Sequence, residues 1–176
     1  LFARFGLERT TMDEIAKSIK IGKSSLYYYF KSKEEVFAEV IQHEMAGLMA
    51  AITEAVQQET DPHKKLENFI RTRLKYLNEK GDQYTTIKDE YLKHYAFIED
   101  LRKDYSEWEV TTIKQIIDDG ISKKVFEVSD SAIASTALYF ALKGLEYPLV
   151  FDVQKNKVEE HVNVMLSILF QGIDKK

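Results

Sequence analysis

The chain contains no cysteine among its 176 residues, which excludes disulfide bonds and zinc–thiolate sites. It has only 2 prolines and 7 glycines, so few positions interrupt regular secondary structure. No apolar run approaches the ~18–20 residues that are needed to span a bilayer. With 44% hydrophobic and 31% charged residues, the composition is typical of a globular protein, and we expect it in the reducing cytoplasm.

Residue patterns that support catalysis or metal binding are also missing. The four histidines, His43, His63, His94 and His161, are widely separated and form no metal-ligand spacing. The sequence has no glycine-rich phosphate loop and no G-x-S-x-G nucleophile motif. We therefore expect no enzymatic activity, no cofactor and no metal site.

The charge of the chain is unevenly distributed. The formal net charge is −4, yet five lysines and no acidic residue occur between Lys17 and Lys33. A local basic patch attracts phosphate even on an acidic protein, because salt screens charges beyond ~10 Å. The same lysines could instead form an ordinary solvated surface, and charge alone does not decide between the two.

Apolar residues recur at helical spacing, and no segment alternates with period two, so the pattern predicts an all-α fold of about nine helices. Two short helices are expected after Thr11 and Gly22, and a left-handed cap is expected at Gly6. Gly81, Gly120 and the approach to Pro148 are expected to end helices. The longer predicted segments cover residues 33–59, 62–79, 83–95, 98–119, 130–146 and 155–172. Residues 1–5 resemble the end of a helix, so we expect the native protein to begin earlier.

The two short helices are separated by a turn of three or four residues, as in a helix-turn-helix. Thr11 and Glu14 have the spacing of a capping box, and Gly22 precedes the second helix. Leu26 and Phe30 recur at i, i+4 and are expected to face inward. The second helix of such a motif enters the major groove with its first residues leading. The predicted contact surface is Lys23, Ser24, Ser25, Tyr27 and Tyr28.

The first 45 residues resemble the TetR family of bacterial transcriptional regulators. The ordered set that carries the resemblance is Phe2, Gly6, Thr10-Thr11, Ile15-Ala16, Lys23, Leu26-Tyr27, Tyr29-Phe30 and Ser32-Lys33-Glu34-Glu35-Val36. It implies a three-helix helix-turn-helix DNA-binding domain over residues 1–45, with its first helix truncated, and a helical ligand-binding and dimerisation bundle over residues 46–176. Two residues depart from the family pattern. Lys20 replaces a frequent glycine and is expected to need a positive φ, and Gly22 replaces a frequent hydroxyl or acidic cap.

The resemblance assigns two roles to side chains of the DNA-binding domain. The implied phosphate contacts are Thr11, Tyr27, Tyr29 and Lys33. The implied base contacts are Lys23, Ser24, Ser25 and Tyr28. Lysine can donate to guanine O6 and N7, and serine can bond either class of base edge. Amphipathic packing is the alternative for the tyrosines, and Tyr29 in particular could turn inward.

A helix-turn-helix this small makes few base contacts, so specificity requires two copies about one DNA turn apart, ~34–36 Å. We therefore expect a homodimer on a palindromic operator. The resemblance implies that the last two long helices form the interface, through Ala137, Leu138, Ala141, Leu145, Val162, Met165, Leu166 and Leu169. The same apolar stripes could instead face the core of their own chain.

The resemblance also implies a pocket for a small hydrophobic or aromatic effector among the middle helices. Its occupancy would change the spacing of the two DNA-reading domains through the helix that begins near Lys33. The candidate lining residues are Tyr76, Tyr91, Trp108 and Tyr139. Core packing is the alternative for each of them.

The resulting prediction is a homodimeric TetR-type DNA-binding regulator, a repressor that a small effector releases from its double-stranded DNA operator, with no membrane contact. Two alternatives remain open. One is a sequence-tolerant architectural DNA-binding protein. The other is a helical ligand-binding or adaptor protein with a non-functional DNA-reading head, for which the departures at Lys20 and Gly22 are the sequence support.

Overall fold

A computed structural model describes residues 1–83, 94–151 and 158–175 of the chain, and these ranges are predominantly helical. The described helices are α1 (Phe2–Arg9), α2 (Met12–Ser18), α3 (Lys23–Tyr29), α4 (Lys33–Gln57), α5 (Pro62–Gln83), α6 (Tyr95–Leu101), α7 (Lys103–Ser122), α8 (Ser131–Phe151) and α9 (Val158–Ile173). The predicted all-α fold with an N-terminal helix-turn-helix is confirmed. None of the helices in the described ranges is long and apolar enough to cross a membrane.

Local signals shape the N-terminal region. Gly6 has the positive φ that the predicted cap requires, 79, but its ψ of 173 lies outside the left-handed helical region, and the residue kinks α1 instead of ending it. Thr11 caps α2 by accepting from the Glu14 backbone N–H, and the Glu14 carboxylate accepts from the Thr11 backbone N–H in return. Lys20 has φ 58 in the turn between α2 and α3, as the family resemblance implies, because glycine is frequent at this position. Gly22 is the N-cap of α3 and provides no side-chain hydrogen bond.

The first helices pack around a small hydrophobic cluster that we call the head core. Its buried members are Phe2, Leu7, Met12, Ile15, Ala16, Leu26, Phe37 and Ile98. Ile98 belongs to α6, far along the chain, and its neighbour Phe97 stacks on Phe37 with ring centroids 6.4 Å apart. Helix α6 is therefore attached directly to the helix-turn-helix region.

The remaining helices share a larger cluster, the bundle core. Its hydrophobic side chains with no exposed surface come from four helices, namely Leu48 and Ile52 of α4, Leu66, Phe69 and Ile70 of α5, Ile113 of α7 and Leu142 of α8. Helix α4 contributes Phe37 to the head core and Leu48 to the bundle core, so this single helix connects the two clusters.

Several predicted helix ends are wrong. The predicted helix over 98–119 is two helices, because the backbone turns at Arg102 (φ −92, ψ 2). Gly120 lies inside α7, which continues to Ser122. Helix α5 passes Gly81 to reach Gln83, and α8 passes Pro148 to reach Phe151. Glycine and proline favour a helix end without imposing one, and packing in the bundle overrides that preference. Residues 84–93, most of the predicted 83–95 segment, lie outside the described ranges.

Candidate functional site

Helix α3 presents nearly all of its side chains to solvent. Leu26 is its one buried residue and fixes the helix to the head core. Tyr28 is 83% exposed and Tyr29 is 72% exposed, so Tyr29 does not turn inward. The rings of Tyr28 and Tyr29 meet edge to face, with centroids 5.1 Å apart. We call the exposed side chains of this helix the reading surface, and they are Lys23, Ser24, Ser25, Tyr27, Tyr28 and Tyr29.

Two further predicted DNA contacts lie beside the reading surface and already have partners within the chain. The Thr11 hydroxyl takes part in the α2 capping box with Glu14. The Lys33 ammonium donates to the Glu8 carbonyl oxygen at 2.9 Å, which ties the start of α4 to the end of α1. Both residues therefore orient helices of the head in addition to any contact with phosphate.

The predicted effector-site aromatics in the described ranges belong to the bundle core or pack against it. Trp108 of α7 stacks on Phe69 of α5, with ring centroids 6.5 Å apart. Tyr139 of α8 is buried and donates to the Ser106 hydroxyl at 2.9 Å. Tyr76 of α5 instead contacts α4, as described next. Tyr91 lies outside the described residues.

The Tyr76 hydroxyl connects α5 to α4. It donates toward the backbone carbonyl and the carboxylate of Glu44, both at 3.2 Å. Burial, followed by the Glu44 charge, raises the pKa of Tyr76 to about 12, so the hydroxyl stays protonated. Gly47 leaves space for it, because a Cβ there would lie 2.8 Å from the Tyr76 oxygen. This contact links the bundle to the helix that leads to the reading surface.

Charged side chains form a cluster inside the bundle that we call the buried ion network, made of Arg73, Glu99, Arg102, Glu109, Lys143 and Glu146. Arg73 donates to both Glu109 and Glu146, and neither Arg73 nor Glu109 has exposed side-chain surface. Arg102 donates to the two carboxylate oxygens of Glu146 at 3.0 and 2.9 Å. Three basic and three acidic groups balance, so the network is neutral overall.

Electrostatic attraction keeps Glu146 and Arg73 ionised despite their burial. Burial by itself would raise the pKa of the Glu146 carboxyl, but Arg102 and Arg73 outweigh it and lower that pKa to about 2. Burial would likewise lower the pKa of Arg73, yet Glu109 and Glu146 raise it above its ordinary value. Burial raises the pKa of the adjacent Tyr105 hydroxyl well above its ordinary range. Glu146, Arg73 and Tyr105 therefore keep their ordinary charge state at neutral pH.

The sequence reasoning did not identify this network, although a signal for it exists. Glu109 lies four residues after Tyr105 and four before Ile113, on the apolar stripe of α7. Arg73 similarly interrupts the apolar positions Ile70 and Leu74 of α5. A charged residue on an apolar helix stripe indicates a buried partner of opposite charge.

The predicted interface residues of α8 and α9 divide into inward and outward sets. Leu138, Val162 and Leu166 are buried in the bundle core of their own chain. Leu145, Met165 and Leu169 are partly buried against it, while Ala137 and Ala141 are exposed. Large apolar side chains that the prediction omitted are exposed beside them, namely Ile133, Phe140, Val164 and Ile168, at 56–69%. We call these four residues with Ala137 and Ala141 the outer apolar face.

Within the described ranges, no group of three or more histidine, aspartate or glutamate side chains is arranged to bind a metal ion. The reading surface and the outer apolar face are two exposed features of the described residues that could bind a partner.

Comparisons with known proteins give a consistent result. Residues 1–40 match the family model described as "Bacterial regulatory proteins, tetR family". The chain is 28% identical over 158 residues to YhgD, an HTH-type transcriptional regulator of Bacillus subtilis, covering 88% of this chain and 78% of YhgD. It is 28% identical over 125 residues to the HTH-type transcriptional repressor KstR2 of Mycolicibacterium smegmatis, covering 68% of this chain and 61% of KstR2. Its fold is similar to that of a transcriptional regulator from Cytophaga hutchinsonii, with TM-score 0.79 and 25% identity over 99% of this chain and 93% of that one.

Proposed function

This chain belongs to the TetR family of bacterial DNA-binding transcriptional regulators, and from that premise we propose that it represses transcription as a homodimer on a palindromic operator. Residues 1–45 read the DNA, and residues 46–176 form the dimer and bind an effector. The similar KstR2 is named a transcriptional repressor, which supports repression over activation. We assign the chain a regulatory role and no catalytic one.

The observation that carries this proposal is the exposure of the reading surface. Six polar or aromatic side chains project from α3 while Leu26 alone is buried. Tyrosine hydroxyls donate to phosphate, and lysine and serine hydrogen-bond to base edges in the major groove. The departures at Lys20 and Gly22 leave this geometry in place, because Lys20 adopts the positive φ and Gly22 still serves as the N-cap.

Replacement of Lys23 by alanine tests the role of the reading surface. A dimer presents two copies of Lys23, and each lost base contact costs ~1–3 kcal/mol, so operator affinity should fall at least about 30-fold. The measurement is the dissociation constant on a duplex from upstream of the gene, beside a scrambled duplex of equal length and across a salt series.

Lys64→Ala is the matched control, since it removes one exposed lysine from α5 and leaves the head unchanged. It should alter operator affinity less than about twofold. Equal losses in the two variants would show that α3 does not read the operator. Wild-type protein that binds both duplexes equally, with a steep salt dependence, would indicate the architectural alternative.

The outer apolar face supports the homodimer. Ile133, Ala137, Phe140 and Ala141 recur at i, i+4, i+7 and i+8 along α8, so they form one stripe. Val164 and Ile168 are one turn apart on α9. An exposed apolar stripe along a helix is unusual on a monomer and typical of an interface between subunits. We propose that a second copy of this chain covers the face.

Phe140→Glu is expected to weaken dimerisation by about 100-fold or more, because it would place an unpaired carboxylate within the interface. Sedimentation equilibrium over a concentration series measures the monomer–dimer constant. Thr111→Glu introduces the same charge on the exposed surface of α7 and should leave that constant unchanged. A Phe140→Glu protein that dimerises like the wild type would refute this interface.

Two contacts support regulation by an effector in the bundle. Tyr76 joins α5 to α4. Helix α6 has Ile98 in the head core, and its C-cap residue Arg102 belongs to the buried ion network. A small hydrophobic or aromatic effector among the bundle aromatics would act on the head through α4 and α6. To weaken operator affinity 100-fold, it must favour the non-binding dimer by about 2.7 kcal/mol.

A further inference from the structure

Lys23, the predicted base contact at the first position of α3, has an acidic partner on α2. Its ammonium lies 2.9 Å from the carboxylate of Asp13, and the side chains are 57% and 50% exposed. The hydrogen bond to Lys23, with its charge, lowers the pKa of the Asp13 carboxyl, and the same contact raises the pKa of Lys23. Both groups are therefore charged at neutral pH, and the pair bridges the two helices of the helix-turn-helix.

A carboxylate in the first turn of α2 interacts favourably with the helix dipole, but this does not determine which cation the Asp13 side chain contacts. The N-terminus of α2 is already capped by Thr11, with the Glu14 carboxylate completing the capping box. Lys17, at i+4 on the same helix, would be the usual partner for Asp13. The carboxylate instead contacts Lys23 on the neighbouring helix. Asp13 thus places a negative charge beside the surface that meets the phosphates.

The pair affects specific and non-specific binding differently. On an arbitrary duplex, Lys23 gains at most one phosphate contact, and Asp13 competes for the same ammonium and repels that phosphate. On the operator, Lys23 also gains hydrogen bonds to a base edge, and these offset the free energy that is lost when its ion pair with Asp13 breaks. The carboxylate should therefore reduce non-specific affinity more than operator affinity.

We propose that Asp13 is a specificity-determining residue that restrains Lys23 until a correct base edge is available. This inference rests on the proposed role of α3 as the DNA-reading helix. Asp13 is a positioning residue that acts through Lys23, and its expected effect is on the ratio between operator and non-specific affinity.

Asp13→Asn in the full chain tests the inference, because it removes the charge and preserves the shape of the side chain. Affinities are measured on the upstream duplex and the scrambled duplex between about 50 and 200 mM salt. Affinity for the scrambled duplex should rise about 3- to 10-fold, and its log–log salt slope should steepen by up to about two, one for each copy of Lys23 in the dimer. Affinity for the upstream duplex should rise less than about twofold.

Glu107→Gln provides the matched charge control, since it removes one exposed carboxylate from α7, outside the head. It should leave the affinity ratio unchanged. Asp13→Asn is also compared in a Lys23→Met background, where the proposal predicts that the change in salt slope disappears.

Three results would overturn the proposal. They are an equal gain on both duplexes, an unchanged salt slope on the scrambled duplex, and an undiminished effect of Asp13→Asn in the Lys23→Met background. A wild-type protein without preference for the upstream duplex would refute the proposed function instead. The scrambled-duplex measurements would still decide whether Asp13 restrains Lys23, so the two failures are distinguishable.

Discussion

Replacing Arg73 by methionine is expected to lower the free energy of unfolding by about 3–5 kcal/mol. Arg73 is fully buried and donates to Glu109 and Glu146. Methionine fills much of the same space but leaves the buried Glu109 carboxylate without its guanidinium partner. Glu146 keeps two hydrogen bonds from Arg102, so most of the loss comes from Glu109. Equilibrium denaturation at one fixed protein concentration measures the change, because a dimer's stability depends on concentration.

Arg71→Met is the matched control on the same helix. Arg71 pairs with Glu67 at 2.7 Å, but about a third of each side chain is exposed, so its removal should cost less than about 1 kcal/mol. A loss for Arg73→Met no larger than that of Arg71→Met would contradict the prediction. The double variant Arg73→Met, Glu109→Leu should regain most of the stability, because it also removes the uncompensated charge.

The head could be predicted from the sequence because its conformation is set by near neighbours. The Thr11–Glu14 capping box spans three residues, and the kink at Gly6 follows from the freedom of glycine at positive φ. The positive φ of Lys20 was implied by the family resemblance, because glycine is frequent at this position of the turn. Each of these features depends on the chain within about one helical turn.

The bundle interior could not be predicted in the same way, because its determinants are distant in sequence. The break at Arg102 aligns its guanidinium with Glu146, 44 residues later, and the Arg73–Glu109 pair spans 36 residues. Periodicity shows which side of a helix is apolar but not what packs against it. Helix α8 is the clearest example, because it has Leu138 and Leu142 on its inner side and Ile133 and Phe140 on its outer side. With apolar residues on both sides, the pattern could not separate own-core contacts from dimer contacts.

Gly120→Ala is expected to destabilise the protein by about 2–4 kcal/mol. A Cβ at Gly120 would lie 2.0 Å from Cδ2 of Phe126, well inside van der Waals contact. The ring cannot easily move away, because Phe126 is only 2% exposed and packs edge to face on His63. The backbone is fixed as well, since the Gly120 carbonyl accepts hydrogen bonds from the amides of Val125 and Phe126. The gain in helix propensity, up to about 1 kcal/mol, offsets only part of this cost.

The contact with the Phe126 ring, and not a change in helix propensity, should account for the stability that Gly120→Ala loses. Gly172→Ala in α9 is the control, because its new Cβ would meet no atom within 4 Å, and stability should stay constant or rise slightly. In a Phe126→Leu background the smaller side chain leaves room, so Gly120→Ala should cost at least about 1 kcal/mol less than in the wild type. Strictly additive effects of the two substitutions, measured by denaturation, would show that Phe126 does not oppose the alanine. That result would contradict the explanation that residue 120 is glycine because the Phe126 ring leaves no space for a Cβ.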